Sequence, residues 1–77
     1  MAKIEPPDDL LQLQRASDAA WAAVRENSTP EAWAAWRDRS AESQAAVTEW
    51  AKEHGHLRNE VEAAVKLRVR HPEPADA

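Results

Sequence analysis

Seventy-seven residues hold at most one small domain, and the 43% hydrophobic share is thinner than it looks: seventeen of the thirty-three are Ala, leaving five Leu, five Val, four Trp, one Ile and one Met. With no Tyr or Phe, few β-branched residues and one Gly, the chain has little from which to build strands or hairpin turns, whereas Ala, Glu, Lys, Leu and Arg supply over half of it, the share typical of long helices. The absence of Cys excludes disulfides, thiolate metal sites and cysteine nucleophiles, and a net charge of -4 argues against a broad nucleic-acid-binding surface.

Residues 1–7 carry two prolines and no periodicity and are expected to be mobile, as is the Pro-containing tail 71–77. The domain proper is therefore expected over 8–70. Proline rigidity at Pro6 and Pro7 and first-turn acids at Asp8 and Asp9 predict a helix over about 8–26. Along it Leu10, Leu13, Ser17, Ala20, Trp21 and Val24 fall at spacings of three and four, one helical stripe.

Asn27, Ser28 and Thr29 read as a turn ending in an N-cap. The Thr29 hydroxyl can accept from a free backbone N–H, Pro30 at the first helical position gives up a donor that would be unpaired anyway, and Glu31 complements the dipole. The second helix carries its own stripe of Trp33, Trp36, Ser40, Ser43, Val47 and Trp50. Folded back antiparallel, residues whose numbers sum to about 57 share a height, so Leu10 meets Val47, Ser17 meets Ser40 and Trp21 meets Trp36. Large side chains then lie at both ends with small ones between, and Trp21, Trp33 and Trp36 cluster near the turn. Hydrophobic core is the expected role of that cluster; an aromatic ligand cage is the alternative.

After Trp50 the same phase continues through His54, Leu57, Val61, Ala64 and Arg68, although Gly55 falls inside it. A turn would be free to reset the phase, so its preservation favours one helix over about 30–70, kinked or broken at Gly55 if at all. The fold expected is an all-α antiparallel hairpin. In that hairpin Leu57, Val61, Val65, Leu67 and Val69 project on an uncovered overhang, and a stripe of this kind marks an interface. Two chains would cover each other as a homodimeric four-helix bundle. The alternative is a corner at His54–His56, a third helix and a monomeric three-helix bundle.

Chemistry finds few footholds. His54 and His56 are two apart and diverge on a helix, while Glu53 and His56 match only one half of an E-x-x-H carboxylate site, with Glu49 one turn earlier. Solvated polar residues around a glycine are the simpler reading, and neither a metal nor a cofactor is expected. No Gly-rich loop or nucleophile elbow positions an acid, base or hydroxyl, so no enzyme is expected, and Ser17, Ser40 and Ser43 read as packing residues. The basic cluster over 66–71 suits the last turn of a helix, with Glu62 and Lys66 as an i,i+4 pair.

The expected function is a small non-enzymatic interaction module that self-associates through helix faces, with Leu57, Val61, Val65, Arg68, Val69 and Arg70 as the partner-binding surface. The alternative is a dimeric regulator contacting nucleic acid through the basic helix end. No uncharged run approaches the roughly 20 residues of a membrane span or the apolar stretch of a secretory signal, so a cytoplasmic location is expected.

Overall fold

The computed structural model describes residues 4–70, and every described regular element is helical: α1 (Asp8–Glu26), α2 (Pro30–His54) and α3 (Arg58–Arg70). The expected tail 71–77 and residues 1–3 lie outside the described residues. Ile4, within the segment expected to be mobile, packs against the hydrophobic core.

The first two helices begin where their local signals place them. The Pro7 carbonyl accepts from the N–H groups of Leu10 at 3.0 Å and Leu11 at 3.4 Å, with Asp8 and Asp9 in the first turn. At α2 the Thr29 hydroxyl accepts from the Ala32 N–H at 3.1 Å, and Pro30 takes the first helical position. The side-chain bond satisfies one of the donors that a helix start leaves free.

Gly55 corrects the expected long second helix. It adopts φ 71, ψ 29, the left-handed conformation that costs a glycine little, and its N–H donates to the Ala51 carbonyl. The His56 N–H donates to the same carbonyl at 2.9 Å, the six-to-one bond of a Schellman-type stop. The Leu57 carbonyl then accepts from Glu60 and Val61, each at 3.1 Å, and α3 folds back onto the hairpin.

The reason lies in burial. Folding back carries Val61 and Val65 to 0% exposure, in a cluster with Leu10, Leu11, Val47 and Ala51. A continuous helix would leave both valines in water, at a cost of roughly 1.5–3 kcal/mol for each. The ~1 kcal/mol by which a helix interior discriminates against Gly adds to this, so both terms disfavour the continuous helix.

The third helix also widens the buried face of α1. Leu11 and Gln14 are buried although neither belongs to the expected stripe, while Leu13 is only half-buried and Trp21 is exposed. Leu11 joins Val61 and Val65 in the core, a direction of burial that a two-helix hairpin does not offer. Among the described residues, no helix is long and apolar enough to cross a membrane.

Candidate functional site

The helices differ in length, and this shapes the surface. At 1.5 Å per residue α2 runs about 38 Å and α3 about 20 Å, so α3 fills only part of the groove between α1 and α2. Toward the α1–α2 turn the groove stays open, and two features meet there: a tryptophan cluster and a polar cleft.

The cluster has the membership expected from the sequence. Trp21 lies 5.7 Å from Trp33 edge-on and 5.2 Å from Trp36, and Trp33 and Trp36 meet edge-on at 5.8 Å, separations at which aromatic pairs attract. Its expected role as core is corrected in degree. Val24 is buried nearby, but Trp21 remains 40% exposed and Trp33 and Trp36 only half-buried. The Trp33 indole N–H donates to the Ser28 hydroxyl at 2.8 Å, which fixes that ring against the turn.

The cleft lies where α3 crosses the hairpin and has a volume of about 280 Å³. On α3 the residues Arg58, Glu62, Lys66 and Arg70 recur at i,i+4 and form one wall. Ser17 and Ser43 are buried as expected of packing residues, but with Gln14 they also belong to the polar lining. A chain of hydrogen bonds ties the three helices together along this lining. The Ser43 hydroxyl of α2 donates to Gln14 Oε1 at 3.5 Å, the Gln14 amide donates to Asp18 Oδ1 at 2.9 Å, and Arg70 Nη2 of α3 reaches the same oxygen at 3.5 Å. The pairing of Ser43 with Gln14 satisfies the antiparallel register, with Gln14 standing where the stripe had placed Leu13.

The other cations on the wall are held more tightly. Lys66 pairs with Glu62 at 3.1 Å, the i,i+4 pair expected, and Arg58 Nε donates to the Thr48 hydroxyl at 2.9 Å with a longer contact to Gln44. Among the described residues no buried side-chain polar atom lacks a hydrogen-bond partner.

The sequence-predicted contact residues do not form one surface. Val61 and Val65 are inside the chain's own core and Val69 packs half-buried against it. Leu57 at 62% exposure stands at the α2–α3 corner, Arg68 is half-buried, and Arg70 turns into the cleft. The residues that sequence reasoning passed over are Gln14, Asp18 and Arg58; the available signal was the i,i+4 charge row on α3, which carries meaning only once α3 faces the hairpin.

The histidines lie at the opposite end from the turn. His54 stacks on Trp50 with ring centroids 4.2 Å apart, and His56 lies nearly parallel to the same ring at 5.7 Å. His54 Nδ1 sits 3.0 Å from the Trp50 carbonyl, which can only accept, so this nitrogen carries the proton. Among the described residues, no three His, Asp or Glu side chains gather as a metal-ligand set.

Neither a protein-family model, nor a curated protein, nor a solved structure matches the chain. The case for function therefore rests on this geometry.

Proposed function

We propose that the protein is a small non-enzymatic interaction module that self-associates, and that its contact surface is the open turn end of the α1–α2 hairpin. The observation carrying this is the tryptophan trio, three large rings packed on one another with only two helices beneath them. Trp is the side chain most often found at the energetic centre of an interface.

A second copy is the occupant that fits best. An isologous contact needs a patch that complements itself. The rim around the rings carries both signs at close quarters, with Arg25 beside Glu26 at the end of α1 and Glu31 and Arg37 at the start of α2. A strongly charged partner would find no matching field there. The exposed Ala22 and Ala23 of α1 and Ala35 of α2 leave room for another helix to approach. Two hairpins meeting in this way bring four helices together at the turn end, while α3 stays on its own chain.

The reading through nucleic acid has less to support it. Lys66 is paired with Glu62 and Arg58 is engaged by α2, so these two do not extend Arg68 and Arg70 into a free basic stripe.

Sedimentation equilibrium tests the proposal. The wild-type chain is expected to show a concentration-dependent dimer, and Trp33→Ala, at a residue outside the cleft, is expected to raise the dissociation constant at least tenfold. Leu67→Gln, on α3, should leave it unchanged. A chain monomeric at all concentrations, or a dimer indifferent to Trp33→Ala, overturns it.

A further inference from the structure

The cleft has a composition that packing alone does not require. Among the described residues that line it, three cations, Arg58, Lys66 and Arg70, stand with two carboxylates, Glu62 and Asp18, one positive charge in excess within a chain of net charge -4. Ser17 and Ser40 line it, and Trp21 and Trp36 belong to its lining toward the α1–α2 turn.

We propose that this cleft binds a small planar aromatic monoanion, an arylcarboxylate, with its ring against Trp21 and Trp36 and its carboxylate on Arg70. Arg70 is the cation free to take it. Among the described residues its one ionic contact, with Asp18, is long at 3.5 Å, and its side chain is half exposed, whereas Lys66 and Arg58 are held at 3.1 Å and 2.9 Å. Asp18 keeps the Gln14 amide at 2.9 Å when Arg70 turns away, so the exchange leaves no buried carboxylate unpaired. Asp18 and Trp21 are three apart on α1 and so neighbours on its surface, which places the guanidinium within a turn of the aromatic end. A guanidinium fork receives a carboxylate through two parallel hydrogen bonds.

Charge and size narrow the class. A polyphosphate would bring several negative charges to a site with one to spare and would meet Glu62 and Asp18. A volume of about 280 Å³ lies just under the ~300 Å³ at which pockets for drug-sized ligands begin, room for one or two fused rings.

The test follows the four Trp indole N–H signals by nuclear magnetic resonance while 1-naphthoate, or the neutral 1-naphthalenemethanol, is added. The Trp21 and Trp36 signals are expected to move saturably with naphthoate and the Trp50 signal to stay. The neutral probe should bind at least tenfold more weakly, and Arg70→Gln should weaken naphthoate by about tenfold or more. Arg70→Lys, which keeps the charge and loses the fork, should fall between. Equal response to both probes, indifference to Arg70→Gln, movement of all four indoles together, or no movement at all each overturns the proposal. A wild-type chain that stays monomeric at every concentration overturns the self-association and leaves this result standing, because the cleft is lined by one chain alone.

Discussion

The two ends of the hairpin are built from the same two helices yet hold together differently. At the α2–α3 corner three helices meet, and medium-sized aliphatic residues suffice to exclude water: Val47, Ala51, Val61 and Val65 are all at or below 3% exposure. At the α1–α2 turn only two helices meet, and three of the largest side chains in the chain remain half in water. At the two-helix end Val24 is buried while the larger rings stay partly exposed, so two helices cover a small aliphatic side chain but not a Trp cluster. A Val between three helices contributes its full transfer energy, while a Trp on a two-helix ridge contributes a fraction and keeps the rest available for a partner.

The sharpest way to break this comparison is to charge the three-helix end. Val61→Asp would bury an unpaired carboxylate, at a cost on the order of 4 kcal/mol, comparable with the whole stability of a domain this size. The variant is expected to lose its cooperative thermal transition by circular dichroism. A folded Val61→Asp chain that merely lost its dimer would return Val61 to an interface.

The corner itself comes next. Gly55→Ala places a Cβ that meets nothing within 4 Å, so its cost is that of the left-handed backbone alone, about 1–2 kcal/mol in urea unfolding. A stabilised variant with raised helicity would mean that α2 and α3 had fused. The smallest effect belongs to the turn end, where Thr29→Ala removes the acceptor for the Ala32 N–H and is expected to cost about 1 kcal/mol while leaving the α3 contacts intact.

These expectations differ in how far they were legible in the sequence. Thr29, Pro30 and the Asp8–Asp9 pair act on backbone groups within one turn of themselves, so the helix starts could be read without knowing what packs where. The tryptophan trio and the antiparallel register were legible because each helix carries one stripe at spacings of three and four, and the two stripes match when folded about a short turn. The cleft was not. Asp18 and Arg70 are 52 positions apart, and neither residue alone differs from an ordinary surface charge.

The candidate contact surface failed for a related reason. Leu57 and Val61 continue the phase of Trp50 and His54, and Val65 and Val69 follow Val61 at i,i+4, so the four looked like one uncovered stripe. Phase is a property of the helix on each side of Gly55 and carries no information on whether the chain turns between them. Once it turns, Val61 and Val65 become core and Leu57 is left at the corner.

By itself the sequence determined that the chain is helical, where α1 and α2 begin, where the first turn lies, and which tryptophans meet. Each of these rests on interactions within a few residues, or on a periodicity that one helix imposes on its neighbour. Tertiary structure alone decided that Gly55 stops α2, that Val61 and Val65 face inward, that Leu11 and Gln14 join the buried side of α1, and that four charges of α3 line a cleft. A glycine in a helix and a glycine after one differ by about a kilocalorie locally. The free energy of the apolar burial made when α3 folds back is larger than that, and the burial exists only in three dimensions.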